Sequence, residues 1–484
     1  MTGKRSVGCR RSSRWRLFTF FGNLDLAKRV EPGFDEASYL TRYADVRKAV
    51  QAGAFSSGYA HYVAFGRAEG RDGSTPPKCA GSPVSQSQAP GSKAVRYEER
   101  NSFLYVSPLD LVKGLHPDPT VEVAIDGDGD IQERRRPGAS FHDDPDGAGL
   151  FSALGAVTVP HSPAFTVTAS RLRQVGYRSY LTGNGLLLND EALVNEAERD
   201  RYVARLSQAT PFENEDTGLA PTGQPRMFRL DSGDRPVEHL RDEVVSLCSF
   251  EPTNYGSFLL RVLPKIAGRG RLFQSRRIVC PLYNDSMRDL YSMAGIPVES
   301  IIKHETHIIY NYDRAVIPSI RNSHFLLDPE TLAFYANFRN SFGTRQSPKK
   351  IFVSRLGWKG SHAAIQRVML NEEELARRLV AEGFDLVRTH TMTARQQIEA
   401  FSSADVIVGA SGSAMFNVVF SHPGTKLIDI ESEPHWIFAH QNLFGSCGLD
   451  YGIFEARAQD NDWSIPHKPF AVNVDALMRR IVSI

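Results

Sequence analysis

The stretch DVIVGASGSAMFNVVF, Asp405–Phe420, contains the pattern that decides the fold. A run of apolar, mostly β-branched residues ends at Gly409, and a second apolar run that predicts a helix follows Gly412. A strand, a glycine turn and a helix in this order are typical of a parallel sheet covered by helices. Glycines let the backbone approach a ligand closely, and the free amides at a helix N-terminus suit phosphate. The stretch predicts a phosphate-binding turn that includes Ser411 and Ser413; a turn in which the glycines serve only the fold is the alternative.

The alternation of strands and helices extends over much of the chain, from Glu251 onward. A break rich in glycine, arginine, serine and proline at Gly343–Pro348 separates two series. The predicted strands are Arg277–Pro281 and Ala315–Pro318 before the break, and Lys350–Ser354, Asp385–Arg388, Asp405–Gly409 and Lys426–Glu431 after it. The predicted helices are Asn284–Ala294, Asp328–Phe342, Asn371–Glu382, Thr393–Ser402 and Met415–Phe420. The pattern predicts an α/β fold of two units with a cleft between them, and ligands in such sheets bind outside the carboxyl ends of the strands.

The size and composition of the chain limit the classes of protein to consider. Its 484 residues exceed the roughly 250–300 that one core supports, so we expect two or more domains. The net charge of +2 gives no reason to expect nucleic acid as a partner. No apolar run reaches the about 20 residues that span a bilayer. The five cysteines are odd in number and lack CxxC spacing, which argues against a disulfide framework and a zinc site and favours a reducing, cytoplasmic compartment.

The N-terminal segment Met1–Arg29 is strongly basic, with eight lysines and arginines and a single acid, Asp25. Its apolar part, Leu17–Phe21, is shorter than the roughly 7–15 residues of a signal-peptide core. We expect residues 1–33 to form a disordered tail. The alternative is loose attachment to anionic lipid at the inner face of a membrane, because each basic residue contributes about 1 kcal/mol close to such a surface.

The remaining domain boundaries follow from composition and periodicity. Residues 34–73 have apolar side chains at helical spacing and predict a small helical hairpin. Residues 74–106 are rich in proline, serine, glycine and glutamine and predict a flexible linker. We expect an N-terminal α/β domain with a β-rich start over residues 107–345, a C-terminal α/β domain over 346–465 and a C-terminal helix over 466–484.

Charged side chains at the ends of the predicted strands are candidates for ligand contacts. Arg355 follows the first strand of the second series and can neutralise a diphosphate, and Arg367 could supply a second guanidinium. Glu431, with Glu433 close by, ends the last strand, where a carboxylate could accept hydrogen bonds from ribose hydroxyls. His390 ends the second strand, where a loop could hold a base ring. A solvated or helix-supporting role is the alternative for each of these residues.

A further group of candidates lies in EPTNYGSFLLRVLPKI, Glu251–Ile266. Asn254, Tyr255 and Ser257 occupy a turn before an amphipathic helix whose apolar side chains are expected to face a core. We expect this turn to open toward the cleft.

Four stretches, in this order along the chain, resemble motifs of glycosyltransferase family 61, which includes bacterial capsular polysaccharide biosynthesis proteins. NYGSFLLRVLPKI is similar to NYxHFLxExLPRL, FVSR with Arg367–Glu372 to SR…RxxxNExEL, TARQQIEAFSSADVIVGASGSAMFN to Qi-x-x-f-x-x-A…GxHGAxLxN, and PGTKLIDIE to PGxxViEl. The resemblance covers about Gly155 to Glu455. In addition, residues 34–73 resemble a short FDxxxYLxxYxDV…HYxxxGxxEGR module that occurs beside bacterial glycosyltransferase domains.

The resemblance implies an inverting enzyme of the GT-B type, with two facing Rossmann-like domains, the donor nucleotide bound by the C-terminal one, and no required metal. It implies transfer of a sugar from a nucleotide diphosphate, with a UDP-sugar as the expected donor, to a glycan acceptor in cell-surface or capsular polysaccharide synthesis. No cofactor is expected beside the nucleotide sugar. Asn254 and Ser257 would lie near the reacting sugar. The predicted donor site comprises Arg355, Arg367, Gly409, Ser411, Gly412, Ser413, Asn417 and Glu431.

Two positions depart from the family motifs, because Ser257 and Ser411 stand where the family commonly has histidine. An inverting transfer needs a general base for the acceptor hydroxyl and electrostatic stabilisation of the leaving diphosphate. Serine cannot serve as that base unaided, and Glu251, His304 and His390 are the candidates. The alternatives to an active transferase are a non-catalytic glycan-assembly protein that retains the fold and a nucleotide-sugar epimerase.

Overall fold

The computed structural model divides the chain into two compact units, Met1–Ser82 and Pro83–Ile484. The structure describes residues 34–43, 46, 47, 50, 57–62, 102–126, 132–136, 157–161, 163–190, 203, 217–341, 349–358, 367–433, 436–458 and 468–482. The basic stretch Met1–Arg29 therefore lies outside the described residues. Among the residues that are described, no helix combines the length and the apolarity needed to cross a membrane.

The N-terminal unit contains two short described helices, Glu36–Arg42 and Gly58–His61. The carboxylate of Glu36 accepts hydrogen bonds of 2.6 and 2.8 Å from the backbone N–H groups of Gly58 and Tyr59 at the start of the second helix. This contact satisfies two of the four orphan donors of that helix and ties the two helices together. Residues 63–73 of the predicted hairpin lie outside the described residues.

A large mixed sheet forms the first part of the second unit, and among its eleven described strands only four pairs of neighbours run parallel. The strands before residue 342 are β1 Ser102–Tyr105, β2 Val121–Ile125, β3 Gln132–Arg136, β4 Val157–His161, β5 Phe165–Val175, β6 Ser179–Thr182, β7 Leu186–Leu188, β8 Leu219–Pro221, β9 Met227–Leu230, β10 Val237–Ser246, β11 Arg277–Cys280, β12 Ile301–Lys303 and β13 Ile309–Pro318. The sheet order is β12-β11-β10-β13-β5-β6-β7-β1-β9-β8, β2 pairs with β5, and β3 and β4 form a separate pair.

The first sheet differs from the Rossmann-like sheet predicted for residues 107–345. β10 to β13 are parallel to one another, but β5 is antiparallel to β13, β2 and β6. The eleven residues of β5 reverse into β6 through a turn at 176–178, and such a short connection can join only antiparallel strands. β1 also falls within the range predicted as a linker, so the last residues of that range belong to the folded unit.

The second sheet contains five parallel strands; four of them confirm the strand positions predicted after the break at Gly343–Pro348, and the fifth, Asp450–Glu455, was not predicted. The five strands are β14 Lys349–Val353, β15 Phe384–Val387, β16 Ala404–Ala410, β17 Lys426–Glu431 and β18 Asp450–Glu455, in the order β15-β14-β16-β17-β18. The chain thus reverses its direction of winding between β14 and β16. In doubly wound sheets this switch point is where ligands bind, outside the carboxyl ends of the strands. A short pair, β19 Arg457–Ala458 and β20 Phe470–Ala471, follows.

Helices cover both sheets. The described α-helices of this unit are Pro108–Val112, Tyr255–Ser257, Asp285–Met293, Pro329–Asn340, Glu372–Ala381, Ala394–Ser403, Ile437–Ser446 and Val474–Val482. Phe258–Val262 is a π-helical turn, and the described 3₁₀ segments are Leu263–Ile266, Gly270–Phe273, Val298–Ser300, Ser323–Phe325, Thr389–Thr391 and Met415–Phe420. The predicted helix after the glycine turn is therefore a fully buried 3₁₀ segment rather than an α-helix.

One apolar core joins the first lobe, residues 102–341, to the second lobe, residues 349–482. Phe258 and Leu263 of the first lobe belong to the same buried cluster as Met415 and Phe420 of the second. The helix Pro329–Asn340 ends the first lobe and lies against the second, where its Tyr335 and Phe338 rings are 5.4 and 6.0 Å from the ring of Phe420. The two lobes are therefore in direct contact.

Candidate functional site

The turn after β16 presents three backbone amides at the switch point of the second sheet. Within the described residues, the N–H groups of Gly412, Ser413 and Ala414 have no hydrogen-bond acceptor, and all three residues are partly exposed. Gly412 has φ +138°, a conformation that residues with a side chain rarely adopt. Consecutive N–H groups in such a turn form a concave site with partial positive charge, which suits an anion.

Arg355 lies beside this turn, as the sequence predicts. Its Nη2 donates a 2.6 Å hydrogen bond to the carbonyl of Ser411, and its Nη1 donates a 3.0 Å bond to the carbonyl of Arg367. A Cβ placed on Gly412 would lie 2.3 Å from Arg355 Nη2. Burial, reinforced by the nearby Arg367, lowers the pKa of the Arg355 guanidinium to about 10, so that it stays charged at neutral pH. Two N–H groups are used internally, and a guanidinium has five.

The position of Arg355 is fixed by Glu372. Glu372 opens the helix Glu372–Ala381, where an acid suits the helix dipole. The structure buries it, and its Oε1 accepts 2.7 Å hydrogen bonds from Ser354 Oγ and from the backbone N–H of Arg355. Asn371 caps the helix without a side-chain cap bond, because its amide is bonded to the backbone of Val472.

Arg367 and Glu431 form a buried ion pair. Arg367 Nη1 lies 2.9 Å from Glu431 Oε1, and its Nε lies 3.4 Å from Glu433 Oε1. Glu431 is fully buried, and its Oε1 also accepts from the N–H groups of Ser432 and Glu433. Burial alone would raise the pKa of Glu431, but Arg367 and His440 outweigh it and lower that pKa. This geometry favours a structural role for both residues over the predicted direct contacts with diphosphate and ribose.

A second polar cluster lies beneath the turn. Ser411 Oγ is 2.6 Å from Asp429 Oδ2 and 2.7 Å from His440 Nδ1, and these two atoms are 3.1 Å apart. The arrangement is not a nucleophilic triad, because serine and acid share one imidazole nitrogen and Ser411 is buried. Asp429, Glu431 and His440 bring donor atoms within 4.8 Å of one another, a composition that could hold a cation. The hydrogen bonds of Ser411 to Asp429 Oδ2 and His440 Nδ1 hold two of these residues in a hydrogen-bonded cluster.

The turn Asn254–Ser257 of the first lobe meets the glycine turn of the second. Asn254 Oδ1 accepts a 2.7 Å hydrogen bond from Ser413 Oγ, and Tyr255 Oη donates a 3.0 Å bond to Asn417 Oδ1. A Cβ on Gly256 would lie 2.4 Å from the ring of Phe416, so glycine permits this close approach. Asn417 is buried in this interface and Gly409 packs against Met415, so both have structural contacts here.

Glu251 lies at the edge of this contact. It follows the carboxyl end of β10 with φ +46°, in the left-handed region that costs a residue with a side chain of the order of 1–3 kcal/mol. Glu251 Oε2 is 3.4 Å from both Ser257 Oγ and Arg261 Nη1, and about a quarter of its side chain, 24%, is exposed. Among the candidate bases, Glu251 alone combines partial exposure with contacts to the turn Asn254–Ser257.

The two histidine candidates lie elsewhere. His304 is fully buried between the rings of Tyr177 and Tyr310, and burial lowers its pKa to about 3. His390 is exposed after β15, where partial burial and Arg388 lower its pKa. His304 is packed as a core residue and has no access to a substrate from solvent, so the structure does not support it as a base.

Comparisons with known proteins bear on this site. The family model described as Glycosyltransferase 61 matches residues 255–428, a segment that begins in the turn Asn254–Ser257 and ends in β17. The matched segment contains Arg355 and the whole glycine turn. The match supports the resemblance to this family and indicates glycosyltransferase activity. A comparison with curated proteins finds no match.

Proposed function

We propose that this protein is an inverting glycosyltransferase that transfers a sugar from a nucleotide diphosphate to a glycan acceptor. The observation that carries the proposal is the match of Glycosyltransferase 61 to residues 255–428, the segment that forms the glycine turn and its contact with the first lobe. The free amides of Gly412, Ser413 and Ala414 and the charge of Arg355 supply the chemistry that a diphosphate needs.

The proposed reaction uses the two sides of the junction between the lobes. The acceptor hydroxyl attacks the anomeric carbon of the donor sugar and gives its proton to Glu251. The bond from that carbon to the diphosphate breaks, and the diphosphate leaves with the bonding electron pair. The amides of the turn and Arg355 stabilise the negative charge that develops on it, because fixed dipoles in a water-poor site need no reorganisation. A single displacement of this kind inverts the anomeric configuration.

The finer features of the proposal rest on the motifs and on the arrangement of the two lobes. A GT-B arrangement is supported by a donor turn on the second lobe that faces the first lobe. A UDP-sugar donor, independence of metals, a role in capsular or cell-surface polysaccharide synthesis and a bacterial source follow from the resemblance alone. The cysteines support a location in the cytoplasm. The basic segment Met1–Arg29 supports the alternative, attachment at the inner face of the membrane.

The test is a nucleotide screen by thermal unfolding, with UDP, GDP and CMP. We expect one nucleoside diphosphate to raise the unfolding temperature, by the linkage between binding and stability, and Arg355→Ala to abolish the rise. Arg388→Ala is the matched control, because Arg388 is an exposed arginine after the neighbouring strand β15. If none of the nucleotides shifts the unfolding of the wild-type protein, the proposed donor site is refuted.

A non-catalytic glycan-assembly protein is the second candidate, and Ser257 and Ser411 in place of histidine favour it. Turnover distinguishes the two. Release of nucleoside diphosphate that depends on an added glycan acceptor supports the transferase. Nucleotide binding without turnover over a broad acceptor panel favours the assembly protein, and interconversion of donor sugars without acceptor would reveal an epimerase.

A further inference from the structure

Ser411 is held through each of its polar atoms, immediately before the three free amides of the turn. Its N–H donates a 2.9 Å hydrogen bond to the carbonyl of Ile430, and its own carbonyl accepts 2.6 Å from Arg355 Nη2. Its hydroxyl lies 2.6 Å from Asp429 Oδ2 and 2.7 Å from His440 Nδ1. The direction of the amides that follow is therefore determined by the groups that hold Ser411.

The hydrogen bonds of the hydroxyl have one consistent assignment. A serine hydroxyl carries a single proton, and a carboxylate oxygen only accepts. Ser411 therefore donates to Asp429 Oδ2 and accepts from the N–H on His440 Nδ1, a tautomer assigned from the network. Hydrogen bonds that involve a charged group are roughly twice as strong as neutral ones, so Asp429 strengthens the hold on Ser411.

His440 itself is out of reach of a ligand in the turn. It is 2% exposed, on the helix Ile437–Ser446. Asp429 and Glu431 of β17 face its Nδ1 at 3.1 and 3.4 Å. The rings of Phe416 and Phe444 lie 5.5 and 5.7 Å from its ring. The polar atoms of an imidazole enclosed in this way reach the turn through Ser411.

We propose that His440 is a positioning residue for the donor diphosphate, which it serves by holding Ser411 so that the amides of 412–414 face the phosphate oxygens. The inference rests on the proposed function and adds to it a residue outside the matched segment 255–428. Position 411 is serine where the resembling motif has histidine, and here the imidazole approaches the same turn from the helix Ile437–Ser446. His440 therefore contributes to the affinity for the phosphate groups and not to the affinity for the nucleoside.

That direction defines the experiment. The dissociation constants of the best nucleoside diphosphate and of its nucleoside without phosphate are measured by calorimetry for wild type, His440→Leu and His440→Asn. We expect His440→Leu to weaken binding of the diphosphate about tenfold, the equivalent of about 1.4 kcal/mol. The affinity for the nucleoside should stay the same. His440→Asn can place an N–H near the position of Nδ1, and we expect it to recover most of the loss.

Several outcomes overturn the inference. If His440→Leu lowers the affinities for diphosphate and nucleoside equally, the effect is a general structural one. If the affinity for the diphosphate is unchanged in His440→Leu, His440 has no positioning role. If His440→Leu does not fold, Ser411→Ala tests the same hydrogen bond with the same pair of ligands. A wild-type protein that binds no nucleoside diphosphate would refute the proposed function itself, whereas normal binding in all variants would refute only the positioning role.

Discussion

Ser413 Oγ donates a 2.7 Å hydrogen bond to Asn254 Oδ1, across a sequence separation of 159 residues and from one lobe to the other. Asn254 Oδ1 also accepts from the N–H groups of Gly256 and Ser257, at 2.9 and 3.4 Å. One amide oxygen thus caps the start of the helix in the first lobe and holds the glycine turn of the second. The two halves of the proposed site are coupled at this atom.

Substitutions at Asn254 test that coupling. We expect Asn254→Ala to destabilise the protein by about 0.5–2 kcal/mol, the usual cost of a lost helix cap, and to lower transfer activity because the donor turn loses its partner. Asn254→Asp keeps an acceptor oxygen at the same place, so its stability and activity should stay closer to wild type. Chemical unfolding and steady-state transfer rates measure the two effects. Equal activity of Asn254→Ala and wild type would contradict the coupling.

Gly412→Ala should abolish nucleotide binding. The new Cβ would lie 2.3 Å from Arg355 Nη2, in a backbone conformation, φ +138°, that alanine tolerates poorly. Either Arg355 moves or the turn opens, and in both cases the site for the diphosphate changes. Gly424→Ala is the matched control, since Gly424 also has positive φ, +80°, but an added Cβ there would have no atom within 4 Å. We expect a loss of the nucleotide-induced thermal shift in Gly412→Ala and its retention in Gly424→Ala.

Glu251→Gln should separate chemistry from binding. The amide cannot take the proton of the acceptor hydroxyl, and general-base catalysis typically contributes a factor of about 10²–10⁴. We expect kcat to fall within that range while the affinity for the nucleotide stays the same. Glu299→Gln, at an exposed position of the same lobe, is the control and should have wild-type activity. A Glu251→Gln protein with wild-type kcat would show that another group is the base.

The sequence predicts the second lobe more closely than the first. The strands β14 to β17 are short apolar runs bounded by turn residues, and this local pattern is enough to predict them. β10 is different, because residues 237–243 of VEHLRDEVVS are mostly polar and, apart from Leu240, not buried, and the strand is continuously buried only over its last three residues, 244–246. Its pairing with β13, and the antiparallel pairing of β5, depend on contacts between distant parts of the chain that local periodicity does not encode.

The same distinction holds for the site. The meeting of Arg355 with the turn at Gly412 follows from topology, since both come directly after neighbouring parallel strands. His440 and Asp429 were not among the predicted site residues, because each is an ordinary polar residue in an apolar stretch until the fold brings both to Ser411. Glu372 lies in the first turn of a helix, where an acid is expected because it interacts favourably with the helix dipole. Its position in the sequence therefore does not predict its hydrogen bonds to Ser354 and Arg355. One signal was available for Asp429, namely its i, i+2 spacing from Glu431 on a strand.

The first lobe contains a buried ion pair between Lys265 and Asp190. Lys265 Nζ lies 2.7 Å from Asp190 Oδ2, Arg178 Nε lies 3.1 Å from Oδ1, and the side chains of Lys265 and Asp190 are fully buried. Burial alone would raise the pKa of Asp190, but Lys265 and Arg178 outweigh it and hold that pKa below its usual value. Removal of the Asp190 carboxylate would leave the buried cations Lys265 and Arg178 without their shared counter-ion.

We therefore expect Asp190→Asn to destabilise the protein by about 3–5 kcal/mol at pH 7, the usual cost of breaking a buried ion pair. Asp190→Asn with Lys265→Met should recover part of that loss, because one unpaired cation is removed. The lowered pKa of Asp190 means that its stabilisation is complete above its unfolded pKa of about 3.9 and declines as pH falls toward the folded pKa. Urea unfolding at pH 7 and pH 3 should therefore show a smaller acid effect in Asp190→Asn than in wild type. Glu122→Gln, with a side chain 75% exposed, should behave as wild type; a loss below about 1 kcal/mol for Asp190→Asn would contradict the ion-pair account.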